Sequence, residues 1–352
     1  MVKFLPVIFS SVILLALAFV FPCCYTLKQG GIMLGYLGSA VPVENLVKKD
    51  PSNEKIREFV DNIADIRRFS IEVLGLKNTK NYTKYVVLDR DYLAAIVSAA
   101  DKYSFQRYQW TFPVVGKVPY KGFFVPQDAR KEAEKLEKKD LDVWIRKVTA
   151  FSTLGFFRDP LYSYMIDYPI DEIANLIIHE SLHATVFVAG NMDFNEELAE
   201  IIGNEGSKLY IETRFGANSE ERQAMYERQK DSETFVRLIQ DLISQLEQVY
   251  NSDITKEEML LRKETTISSF MLQFADHYDE NFSTENLRHF PALSINNAFL
   301  DLYRLYHKKE SRLEQLYLGS GSDISKFISA AKQIKGTKDP TAQLEKALQS
   351  SM

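Results

Sequence analysis

From residue 44 to 75 apolar side chains recur every three to four positions, with Phe59, Ile63, Ile66 and Phe69 on one side and Gly75 behind them. That spacing predicts one helix with a buried stripe, stopped by glycine. The pattern then changes. Residues 84–88, 110–115 and 122–125 are rich in β-branched and aromatic residues and are punctuated by Pro113, Gly116 and Pro119, which predicts short strands. The run DARKEAEKLEKKDLDVWIRK, residues 128–147, predicts a helix with a solvated charged face. Residues 150–157 read as extended, and a helix is predicted to begin at Pro169, with Asp171 and Glu172 in its first turn. Farther on, Phe235, Leu238, Ile239, Leu242, Ile243 and Leu246 keep helical spacing, and another helix is expected over 296–316. After Lys335 the chain is polar, which predicts a tail over 336–352 that is disordered or ends in a short helix. The fold class that follows is α+β and predominantly helical, with a small mixed sheet before the 169 helix and an α-helical second half.

The predicted 169 helix carries His179-Glu180-Ser181-Leu182-His183 inside the apolar run LIIHESLHATVF. Residues i and i+4 of a helix lie one above the other, so both imidazoles project from one face and can grip a single Zn²⁺. Glu180 lies beside them, placed to reach a water on such a metal as a general base. A catalytic zinc needs a third protein ligand, and Glu196 in DFNEELAE offers it on an antiparallel return helix. Gly190 and Asn191 are expected to stop the first helix, and Asp193 or Asn195 to cap the second. Glu200, four residues past Glu196, is placed to accept the free ring N–H of His179. Glu197 points elsewhere on that helix, and Glu205 stays open as an alternative ligand. His277, His289 and His307, the remaining histidines of five, read as surface or core residues.

Residues 4–21 form an apolar run that ends at Phe21-Pro22-Cys23-Cys24. A signal or anchor is expected over 1–24, with the tether either a lipid on one of the cysteines or the uncleaved helix, and a folded domain over 25–335 outside the cytoplasm at the cell envelope. No cysteine follows Cys24, so this domain relies on core burial rather than disulfides. The net charge of −5 is mild, and no basic patch is interleaved with aromatics, so no nucleic-acid partner is expected.

HESLH followed by NEELAE resembles the gluzincin peptidases, whose third ligand is the Glu of an Asn-Glu pair. Nearly the whole chain is similar to a bacterial family of aminopeptidases of the cell envelope. The marks are QGGIMLGYLGSAVPV, IEVLGL with YVVLDRDYL, WTFPVVGKVPYKGFF, AFSTLGFFRDPLYSY, FNEELAEIIGNEG and SINNAFLDLYRLY. Ser181-Leu182 and Glu197-Leu198 depart from the family's usual residues but leave the ligands and the base intact. The resemblance implies a zincin-like fold, one Zn²⁺ per chain, a peptide or protein substrate, an edge strand at residues 150–157 along which that substrate lies, and Tyr306 as oxyanion donor. The G-x-M-E-N element of related aminopeptidases is missing; Gly31-Ile32-Met33-Leu34 only echoes it, and Glu197 or Glu205 would have to meet a substrate's ammonium. Two other classes stay open: a zinc-binding scaffold whose chemistry has lapsed, and a metal hydrolase of non-peptide amides such as those of cell-wall material.

Overall fold

A computed structural model describes residues 25–112, 116–149, 159–304, 312–334 and 336–350. The first helix, α1 (25–39), lies against the sheet region: Tyr25 donates to the Gly122 carbonyl, and Gln29 Oε1 accepts the Phe124 N–H at 2.9 Å. The helix predicted over 44–75 is two helices, α2 (Glu44–Lys49) and α3 (Glu54–Glu72). Pro51 lacks an N–H and cannot continue a helix, and Asn53 restarts the chain by accepting the Ile56 N–H at 3.2 Å. Phe59, Ile63, Ile66 and Phe69 are buried as their spacing predicts, and Gly75 leaves the helix at φ +64°.

Two three-stranded sheets follow. In one, β1 (Val41–Pro42) pairs antiparallel with β2 (Lys84–Val86), which pairs parallel with β8 (Leu161–Tyr162). In the other, β3 (Ala94–Asp101) is central between β6 (Tyr120–Phe123) and β7 (Leu141–Val148), antiparallel to both. A hairpin joins β4 (Trp110–Phe112) to β5 (Gly116–Val118). The helix predicted over 128–147 is α4 (Pro126–Glu137) only. Asp140 takes a left-handed φ of 61°, which ends the helical path, and the following residues extend as β7. Alternate residues of β3 (Ala95, Val97, Ala99) face α4 through Ala129, Ala133 and Leu136.

The remainder is helical: α5 (Ile170–Thr185), α6 (Met192–Phe215), α7 (Glu220–Tyr250), α8 (Lys256–Asp276), α9 (Tyr278–Asn281), α10 (Asn297–Arg304), α11 (Arg312–Gly319), α12 (Ile324–Ala331) and α13 (Pro340–Ser350). The main core gathers α3, β2, β8, α5 and α6 with α11 to α13. A second core forms where Phe235, Ile239, Leu242, Ile243 and Leu246 of α7 meet α8 and α10. Asn297, wholly buried, ties this second core to the sheet: its Nδ2 donates to the Asp101 and Ser104 carbonyls, its N–H donates to Asp142, and its Oδ1 accepts the Tyr250 hydroxyl at 2.7 Å. Asn296 accepts the Ala298 N–H at 3.0 Å and donates to the Val143 carbonyl. The Asn-Asn pair is thus a docking joint. Of the two alternatives for the tail the short helix forms, as α13, and it packs instead of dangling: Leu344 and Leu348 are buried in the main core, and its polar residues are the outer face of an amphipathic helix.

Candidate metal centre

α5 starts after Pro169 and is buried along most of its length, through Ile173, Ala174, Ile177, Ile178, Ser181 and Leu182. A helix this apolar holds its two histidines in fixed positions. His179 Nε2 and His183 Nε2 face each other at 3.2 Å. Glu196, in the second turn of α6, completes the group, with its two carboxylate oxygens 3.7 Å from His179 Nε2 and 3.5 Å from His183 Nε2. Among the described residues these three are the His, Cys, Asp and Glu side chains brought together closely enough to hold one ion. A tetrahedral zinc with bonds of about 2.1 Å needs its ligand atoms roughly 3.4 Å apart, close to the Nε2–Nε2 separation and to the distance from each Nε2 to its nearer Glu196 oxygen.

Electrostatics agree with the donor chemistry. Burial, assisted by the neighbouring His183, pushes His179 down to about 4, against a hydrogen bond to the Ala199 carbonyl that favours its charged form. Burial also pulls His183 down, opposed by Glu196. Both rings are therefore neutral near pH 7, the form that presents a lone pair to a metal. The Ala199 carbonyl, one residue before Glu200, accepts from the His179 ring, and Glu200 lines the cleft beside it. Glu180 is buried, and its charge, with those of Asp159 and Tyr162, adds to the burial that raises the hydroxyl pKa of Tyr82.

The return from α5 to α6 differs from expectation. α5 stops at Thr185, ahead of Gly190, which turns the chain at φ +80° into α6 with Asn191 as its cap. Asn195 is no cap: it lies inside α6, 2% exposed, and bonds the loop at Val188 instead. Two glycines that the sequence showed only as part of a family mark set how closely the helices cross. A Cβ on Gly203 would sit 3.2 Å from His179 Cβ, and one on Gly206 would sit 3.0 Å from Ile178 Cγ2. A G-x-x-G spacing on the helix carrying the third ligand was the available signal.

A cleft of about 740 Å³ lies between α5, α6 and α7, with Glu172, Asn175, Glu200, Glu205, Arg237 and Tyr303 among its walls; the triad side chains and Glu180 do not line it. Asp171 and Arg228 form an ion pair at its edge; burial raises the Asp171 pKa, with Arg228 opposing. Glu205, the alternative ligand, lies outside the triad and accepts the Tyr317 hydroxyl at 3.2 Å. Glu197 instead lines a separate hollow with Gly190 and Lys338. Tyr306, His307 and the 150–157 segment lie outside the described residues, as do residues 1–24. No helix among the described residues is long and apolar enough to cross a membrane.

The model of the family described as "Putative aminopeptidase" matches residues 24–348. The chain belongs to that family. The matched span runs from the end of the amino-terminal apolar segment through α13, so the aminopeptidase-family unit includes the last helix and every member of the triad. Comparison with curated proteins and with solved structures gives no match.

Proposed function

We propose that this aminopeptidase-family chain is a zinc-dependent peptidase of zincin-like, gluzincin type, with one Zn²⁺ held by His179, His183 and Glu196. The observation that carries the reading is the convergence of two neutral imidazoles and a carboxylate: the Nε2 atoms lie 3.2 Å apart, with one Glu196 oxygen 3.5 Å from His183 and the other 3.7 Å from His179. A zinc bound there would polarise a peptide carbonyl and lower the pKa of a water. Glu180, one residue from His179 and buried, accepts the proton of the attacking water and returns it to the departing amine. Tyr306 is retained as the donor to the oxyanion.

The cleft neighbouring the triad, one helical turn away on both α5 and α6, favours action at a peptide's amino end. It begins one helical turn past Glu196 at Glu200, and five carboxylates against three cationic side chains line it. Such a wall favours a free α-ammonium over a blocked, neutral terminus. Tethering at the cell envelope through residues 1–24 belongs to the same proposal.

The test uses the full-length chain in detergent, with matched free and N-acetylated peptides. Stoichiometric zinc, cleavage of free peptides only, and loss of turnover by about 10²–10⁴-fold in Glu180→Gln with zinc retained are expected. Cleavage of both peptides would make it an endopeptidase. Zinc with no peptide turnover would point to a scaffold or a non-peptide amide substrate, and normal turnover in Glu180→Gln would refute the assignment of the base.

A further inference from the structure

Two asparagines hold the loop between the two ligand-bearing helices: Asn191 Nδ2 donates to the Ala189 and Thr337 carbonyls, and Asn195 grips Val188. The Val188 N–H donates to Asn195 Oδ1 at 2.9 Å, and Asn195 Nδ2 donates to the Val188 carbonyl at 2.9 Å. Both residues are nearly sealed from water, Val188 at 3% and Asn195 at 2% exposure. Water therefore offers neither group a replacement partner: the Val188 carbonyl keeps the Asn191 N–H at 3.2 Å, but breaking the pair leaves the Val188 N–H unsatisfied.

Asn195 immediately precedes Glu196 on α6. Successive helical side chains point about 100° apart, so clamping Asn195 onto the loop fixes the direction in which Glu196 projects. The carboxylate lies roughly 6 Å from the helix axis, so a 10° roll of α6 would carry it about 1 Å sideways. Metal–ligand distances tolerate about 0.2 Å. The Gly203 crossing sets how close the helices come, but a smooth glycine contact resists rolling weakly. The two hydrogen bonds at Val188 resist it directly.

We infer that Asn195 is a positioning residue for the metal centre: by gripping both polar groups of Val188 it fixes the roll of α6 and so aims Glu196 at His179 and His183. The inference rests on the zinc reading above. It also gives the Asn-Glu pair a division of labour, in which the first residue orients and the second ligates.

Asn195→Asp is the decisive variant, because it is isosteric, keeps the acceptor for the Val188 N–H and loses the donor to the carbonyl. Asn195→Ala removes both bonds. The measurements are zinc affinity by competition with a chromophoric chelator, the visible spectrum of the cobalt-substituted protein, and thermal unfolding of the metal-free protein, all on the full-length chain. Both variants should fold without metal, bind zinc about 10–100-fold more weakly, and show an altered cobalt spectrum as the carboxylate leaves the coordination sphere. In a Glu196→Ala background, Asn195→Asp should change zinc affinity by less than about twofold, because its action passes through Glu196. An Asn195→Asp variant binding zinc within about threefold of wild type would overturn the inference, as would an equal loss with and without Glu196. If Asn195→Ala fails to fold, the Asn195→Asp pair of measurements decides alone. A wild-type chain that takes up no zinc overturns the metal reading itself, and is recognisable because no variant is needed to see it.

Discussion

Gly203→Ala adds one methyl at the crossing of α5 and α6. The new carbon would lie 3.2 Å from His179 Cβ, 3.3 Å from Asn175 Oδ1 and 3.4 Å from the Asn175 carbonyl oxygen. Ordinary contacts of this kind are about 3.5–4.0 Å, so the helices must part by roughly half an ångström. One of the obstructing atoms is backbone and another is the root of a ligand's side chain, and neither can swing away as a side-chain tip would. Overpacking of this size costs about 1–3 kcal/mol, while alanine gains about 1 kcal/mol over glycine in a helix. The two nearly offset, so Tm should fall by no more than about 4 °C. The metal centre has no such offset: a half-ångström separation exceeds the roughly 0.2 Å that metal bonds tolerate. Zinc affinity should drop about tenfold or more, a loss of about 1.4 kcal/mol per decade. Chelator competition beside a melting curve of the metal-free protein reads the two effects separately. A variant with wild-type zinc affinity would refute the claim that this crossing sets the distance from Glu196 to the histidines.

Two further outcomes concern the scaffold. Asn297→Leu should destabilise the chain by about 2–4 kcal/mol, because it strands the Asp101 and Ser104 carbonyls and the Tyr250 hydroxyl in a dry interface; a shift below about 0.5 kcal/mol in chemical denaturation would argue against the joint. Burial pushes the Glu132 carboxyl upward, but hydrogen bonds from the Trp110 indole and Lys121 outweigh it and hold its pKa below the usual glutamate value. A depressed folded-state pKa contributes stability above the unfolded value of 4.5 and loses it as pH falls through the folded value. Glu132→Gln should therefore melt below wild type at pH 7, with the gap closing under pH 4.5; a gap that stays constant down to pH 2 would show the shift to be absent.

The parts of the site legible in the sequence were those written in local spacing. His179, Glu180 and His183 share one amphipathic segment, and Glu196 follows within a single helical return, so periodicity and residue chemistry were enough to group them. The central strand β3 escaped because AAIVSAAD is rich in alanine, and its pairing with β6 and β7 comes from residues 22 to 54 positions away. β7 was concealed by the charged helix before it, whose end depends on a single left-handed residue, Asp140. Asn195 has the composition of a cap, yet its partner is a backbone unit seven residues upstream, a relation that only the folded loop defines. The Asn296-Asn297 pair was visible in the sequence only inside the mark SINNAFLDLYRLY, and its work, joining α10 to the sheet, depends on partners about 150 to 200 positions away.

The placement of α13 bears on when the catalytic unit can form during synthesis. The core around the ligand-bearing helices draws on residues 43–93, on the 161–211 stretch, and on residues 313–348 at the far end. A chain emerging residue by residue therefore presents both histidines and Glu196 well before the apolar surface that closes over their helices exists. α13 packs on α11 and α12, which in turn pack on α6, so a chain truncated a dozen residues early would carry all three members of the triad and lack the helix that backs this support.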